Sequence, residues 1–159
     1  MKRVGLILSG AAAAGAVALA AWATQPEPAA KGVTFMGEPV MAEDIVLGQE
    51  IYAANCASCH GADLEGQPDW KRRLDNGRMP APPHDETGHT WHHPDSQLFT
   101  ITRLGVGAVV EGYESDMPAF ESILTDAEIR SVLGYIKSTW PERERGFQAE
   151  VTGDGKAAP

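Results

Sequence analysis

Both cysteines of this 159-residue chain fall in one run, Cys56-Ala57-Ser58-Cys59-His60. No other feature limits the possible fold as much. Two thiols about one helical turn apart, followed at once by an imidazole, form the attachment signature of a c-type haem. Each sulfur can add to one porphyrin vinyl group, and the adjacent imidazole is then held beneath the iron as its axial ligand. The competing uses of such a pair lack their context. A redox-active Cys-x-x-Cys calls for a βαβ unit, and a zinc finger calls for a second ligand pair at finger-like spacing. The motif therefore predicts a fold that encloses one covalently held haem c.

The N-terminus is set apart from that fold. Lys2 and Arg3 precede an apolar stretch from Val4 to Ala20, and Ala21-Trp22-Ala23 has the small-x-small pattern of a cleavage site. Residues 1–23 are expected to be a secretory signal peptide. Their length would also suit an uncleaved membrane anchor, with membrane association through residues 4–23, although the Ala and Gly content favours cleavage. Both outcomes place the domain in the periplasm. Losing Lys2 and Arg3 moves the formal net charge from −9 to −11. Such a surface disfavours nucleic acid and anionic lipid and suits a partner with a basic patch, while also serving solubility. The remaining chain is long enough for one domain with a single core. With both thiols committed to haem, an exported chain can carry cysteine without a disulfide framework.

Residues 24–41 read as a linker containing Pro and Ala. A helix is expected from Ala42-Glu43-Asp44, with Asp44 as N-cap and Ile45, Gly48, Ile51 and Tyr52 at helical spacing; it runs straight into Cys56. From Gly61 to Pro94 the chain is irregular and rich in Gly and Pro. Asp95-Ser96 is expected to cap a short helix ending at Leu104, before Gly105 and Gly107. Thr125-Asp126-Ala127-Glu128 is a capping box opening a helix with Ile129, Val132, Leu133, Ile136 and Trp140 on one stripe. Pro141 ends it, and residues 141–159 read as a polar, extended tail. With no strand-like alternation, the fold class is all-α: three to four main helices with long loops wrapped around the haem.

A haem held by His60 needs its sixth position decided, because electron-transfer haems close it with Met or a second His whereas catalytic haems leave it open. Met79-Pro80-Ala81-Pro82 and Met117-Pro118-Ala119-Phe120 compete, each Met pushed toward an extended conformation by the following Pro. Met117 lies after the 95–104 helix and before the last one, so the intervening chain can wrap the haem edge and return on the face opposite His60. Met117 is therefore assigned as the axial ligand, and Met79 as a soft core filler.

These elements together resemble a class I cytochrome c: a helix with Gly48-x-x-x-Tyr52, then Cys56-x-x-Cys59-His60, a late Met117-Pro118, and a C-terminal helix with Tyr135-Ile136-Lys137. The resemblance covers residues 42–140. It implies a cytochrome c-like fold in which the first and last helices cross closely, Gly48 meeting the face of Val132 and Tyr135. It also implies a mono-haem electron carrier rather than an enzyme, with electron donor and acceptor proteins as partners. Members of the family place a Pro soon after the motif, its carbonyl accepting a hydrogen bond from the ligand imidazole. Pro68, Pro80, Pro82 and Pro83 compete for that place, with Pro82 or Pro83 favoured; the bond would fix the ring and raise its donor strength.

The stretch His84-Asp85-Glu86 to His89-Thr90-Trp91-His92-His93-Pro94 has two readings. In one it covers the haem edge, Trp91 over the porphyrin and one or two histidines bonding propionates. In the other the imidazoles and carboxylates bind copper or zinc, giving a metal-handling or sensing role; an open sixth position would instead suit a peroxidase-like enzyme. Trp70, Arg72, Arg73 and Arg78 offer propionate donors, one of them expected to serve, and Arg78 joins Trp91 and Pro82 as a candidate haem-pocket residue.

Overall fold

The computed structural model describes residues 32–153. The expected signal peptide, the start of the linker and residues 154–159 lie outside them. Helices α1 (Ala42–Asn55), α2 (Ala57–His60), α3 (Asp95–Leu104), α4 (Asp126–Thr139) and α5 (Glu142–Thr152) carry the fold. Two short 3-10 turns, Thr90–His92 and Val106–Ala108, punctuate the loops. The architecture is all-α, as the periodicity implied.

The crossing of α1 and α4 sets the frame. At α4 the capping box forms in full: the Thr125 hydroxyl accepts from the Glu128 N–H at 3.3 Å, and the Glu128 carboxylate accepts from the Thr125 N–H at 2.8 Å. Its apolar stripe is buried, with Ile129 and Trp140 almost fully enclosed. Against it lies Gly48 of α1, so close that a Cβ there would sit 2.1 Å from the Ser131 carbonyl oxygen and 2.8 Å from the Tyr135 Cβ. The glycine thus meets the face of α4 that carries Tyr135, with the Ser131 backbone as its nearest neighbour. Only hydrogen fits between the two backbones, and the approach delivers the end of α1 to the core.

Four expectations from the sequence need correction. The N-cap of α1 is Met41, in an extended conformation, and Asp44 stands three residues inside, its carboxylate accepting the Met41 N–H at 3.0 Å. An acid at this position can reach back and satisfy a free amide without itself being the cap. The end of the linker is a hairpin, Thr34–Phe35 (β1) pairing antiparallel with Glu38–Pro39 (β2), and it buries Val33, Phe35 and Val40 in the core. Its tight turn puts both Met36 and Gly37 at positive φ, as two-residue hairpins require.

The cap of α3 is Pro94, which leaves Asp95 inside the helix and fully buried. Its carboxylate accepts from Lys137 Nζ at 3.0 and 3.1 Å, from Gln148 Nε2 at 2.6 Å and from the Met36 N–H at 2.8 Å. A buried charge is tolerated only when paired and hydrogen-bonded in this way. Finally, residues 142–152 of the expected extended tail form α5. Gln148 is buried, the Thr152 hydroxyl accepts the Asp95 N–H at 3.2 Å, and Gly153 closes the helix in the left-handed region. One buried carboxylate therefore ties the hairpin, α3, α4 and α5 together.

Candidate functional site

The motif sits where α1 turns into α2. The Cys56 N–H still bonds the Tyr52 carbonyl at 2.9 Å, and the Cys56 carbonyl then accepts from the Cys59 and His60 N–H groups at 3.1 and 2.9 Å. This one-turn helix puts both thiols and the imidazole on a single short loop, ended by Gly61 at φ 82°. Both cysteines are free thiols, Cys56 half-buried and Cys59 exposed. Burial, with Cys59 as second cause, pushes the Cys56 thiol up to about 11, so it is protonated at neutral pH.

His60 is buried, and its Nδ1 lies 2.8 Å from the Pro82 carbonyl. A carbonyl can only accept, so Nδ1 carries the proton and Nε2 keeps its lone pair. Burial lowers the His60 pKa and outweighs the opposing effect of the Pro82 hydrogen bond. The imidazole is therefore neutral, the form that binds a metal. Among the four prolines in competition, it is Pro82 that meets the ring. Two glycines grip that stretch: a Cβ on Gly66 would fall 2.4 Å from the Pro83 nitrogen, and one on Gly88 2.0 Å from the Pro83 oxygen. Sequence reasoning missed both, although their place on either side of a Pro-Pro pair was a usable signal.

It also missed His84, whose ring stacks on that of His60 with centroids 4.0 Å apart and planes at 25°. Its Nδ1 lies 2.9 Å from the Thr90 hydroxyl, and its backbone carbonyl accepts the Trp140 indole N–H at 2.7 Å. Burial first, then the neighbouring His60 and His89, hold His84 well below the usual imidazole range. Tyr52 completes the cluster, its hydroxyl donating to the Gly61 carbonyl at 3.0 Å.

Met117 packs against the same buried core as Cys56 and Ala57. Its N–H is bonded to the Ser115 hydroxyl at 3.0 Å, and the Phe120 N–H bonds the Thr102 carbonyl at 3.1 Å, pinning this loop to α3. Arg78 pairs with Asp116, with Glu114 3.9 Å away. That ion pair draws the Met79 stretch alongside the Met117 stretch. The Arg78 guanidinium thus meets carboxylates on an acidic loop, and Trp91 stacks on His92 and meets Phe147 of α5 edge-on.

The remaining loop histidines are dispersed among rings. His89 stacks on Trp70 and touches His93 edge-on, while His92 faces Trp91 and Phe147. Among the described residues no group of three or more His, Cys, Asp or Glu side chains is arranged to hold a metal ion. Nothing in this geometry supports the copper or zinc reading.

Residues 45–140 match the family Cytochrome c. The chain belongs to the cytochrome c family. Its helices and the early attachment motif make it a class I c-type cytochrome. The cytochrome is 31% identical over 104 residues to the Cbb3-type cytochrome c oxidase subunit CcoP of Rhodobacter capsulatus, a match covering 64% of this chain and 31% of that protein. A second Rhodobacter capsulatus sequence of the same subunit is 32% identical over 104 residues, with the same coverage. The cytochrome thus spans about a third of the length of these curated relatives. No solved structure matches it. The residues suit covalent haem c: two free thiols on one turn, a neutral imidazole whose Nε2 is not used by Pro82, and a thioether packed on the same core.

Proposed function

We propose that this cytochrome is a periplasmic mono-haem carrier that moves single electrons between a donor and an acceptor protein. When bound, the haem supplies a one-electron Fe(III)/Fe(II) couple. Cys56 and Cys59 would hold it covalently, and His60 and Met117 would ligate its iron. The observation that carries this reading is the His60 imidazole, neutral and fixed by the Pro82 carbonyl at the end of the two-thiol turn. A carbonyl partner of this kind sets the tautomer and ring direction of a ligand histidine before metal binds. A site whose residues need not move between oxidation states suits rapid electron transfer.

Similarity to an oxidase subunit makes a respiratory oxidase the favoured acceptor class, reached either as a mobile carrier or as part of such a complex. The formal charge of −9 favours a docking face with basic residues on the partner. Residues 4–23 would keep the domain at the membrane if they are retained. Among the described residues no helix is long and apolar enough to cross a membrane.

A potentiometric titration of the haem-loaded protein tests the reading. One reversible one-electron wave, with the reduced protein refusing carbon monoxide, is the expected result. Ready carbon monoxide binding would mean an open sixth position and favour an enzyme or sensor instead.

A further inference from the structure

We propose that His84 is a positioning residue for His60, its ring acting as a flat stop that holds the axial imidazole in one orientation. The inference rests on the reading of His60 as the haem ligand.

The Pro82 carbonyl touches His60 at a single atom, Nδ1, at 2.8 Å. One in-plane hydrogen bond fixes a direction but lets the ring rock about it. A planar group against the ring face removes that freedom, and the His84 imidazole, at 4.0 Å and 25°, is such a group. His84 is itself held at three points. Its N–H bonds the Leu64 carbonyl at 2.8 Å, its carbonyl takes the Trp140 indole N–H at 2.7 Å, and its Nδ1 meets the Thr90 hydroxyl at 2.9 Å.

The Thr90 hydroxyl stands between the His84 Nδ1 at 2.9 Å and the Pro83 carbonyl at 3.4 Å, which ties the His84 ring to the same Pro82–Pro83 stretch that holds His60. An aliphatic side chain would fill the same volume without presenting a locked plane. The chain Pro83–Thr90–His84–His60 runs beside the Pro82 bond, so two neighbouring residues, Pro82 and His84, orient one ligand from its edge and its face. Partners of this kind tune a metal site by holding the donor atom's ring.

The plane of an axial imidazole decides how unpaired spin is shared around the porphyrin in the ferric state. The spread of the four haem-methyl proton resonances reads that plane together with the orientation of the second ligand, which the His84 variants leave in place. In the haem-loaded protein, His84→Ala should narrow the spread and alter the methyl order, because a rocking ring averages over orientations. His84→Phe, which restores a flat face, should return the pattern toward wild type. Thr90→Val should move it in the same direction as His84→Ala but less, and it carries the same readout should His84→Ala fail to accumulate. The exposed-site control Ile123→Ala should leave it unchanged.

A His84→Ala spread indistinguishable from the Ile123→Ala control would overturn the proposal, as would a His84→Phe variant no closer to wild type than His84→Ala. A general packing role would lower the melting temperature of His84→Ala without touching the methyl pattern. Failure of the parent reading is separable, since wild-type protein would then show no thioether-linked haem in its alkaline pyridine spectrum, and both proposals would fall together.

Discussion

The crossing of α1 and α4 makes the same substitution, Gly to Ala, carry opposite signs at two places. At Gly48 the added Cβ would lie 2.1 Å from the Ser131 carbonyl oxygen, whereas ordinary contact begins near 3.4 Å. The obstacle is backbone, so the helices must part by roughly 1 Å, loosening Ile51 and Tyr52 from the core; overpacking of this kind costs about 1–3 kcal/mol. Better helix propensity returns about 1 kcal/mol. With no flexible neighbour to yield, the upper part of the range applies, and Gly48→Ala should lose about 2 kcal/mol, or about 8 °C in melting temperature for a domain of this size. At Gly146 in α5 nothing lies within 4 Å of the new Cβ. Gly146→Ala should therefore gain about 0.5–1 kcal/mol through propensity alone. Gly134→Ala, whose Cβ would meet the Val40 Cγ1 at 2.8 Å, faces a side chain that can turn aside and should fall between them. Thermal melts of the haem-loaded variants followed by far-ultraviolet circular dichroism give the order. A Gly48→Ala protein as stable as wild type would refute the close crossing.

Two further outcomes follow from the buried polar groups. Asp95→Ala should cost about 3–5 kcal/mol in denaturant unfolding, because it strands the buried Lys137 ammonium. Lys137→Met should cost less, since Gln148 and the Met36 N–H still hold the carboxylate; equal costs would contradict the network. Burial and the His60 and His89 imidazoles hold His84 well below its ordinary 6.5, and burial with the neighbouring His93 lowers His89 as well. Both bind protons more tightly when unfolded, so stability should be level above about pH 6.5 and fall as the pH drops toward their folded values. Melting temperatures between pH 8 and pH 5 measure this, and His84→Phe should flatten the slope; a flat wild-type profile would contradict the burial.

What the sequence made legible was whatever is written in local chemistry or periodicity. The haem-attachment turn, the Thr125 capping box and the stripe on α4 need no distant partner to be read. The carbonyl of Pro82 was narrowed to a neighbouring pair but could not be separated from Pro83, because that choice depends on how Gly66 and Gly88 grip the strand. Helix α5 was missed because it is held by Gln148 and Thr152 reaching a buried Asp95, not by an apolar stripe. Asp95 itself looked like a cap, since a helix-starting Asp followed by Ser is the usual surface signal and its partner Lys137 lies 42 residues on. His84 was hidden among four histidines, and only the fold separates the one that stacks on His60 from those that face Trp70, Trp91 and Phe147.

The proposed pair of iron ligands, His60 and Met117, can be tested directly. Optical spectra of the oxidised, haem-loaded protein measure it through the weak long-wavelength band that arises from sulfur bound to ferric iron. The band should be present in wild type, absent in Met117→Ala and retained in Met79→Ala. Its loss in Met79→Ala with retention in Met117→Ala, or its absence from the wild-type protein, would contradict the assignment.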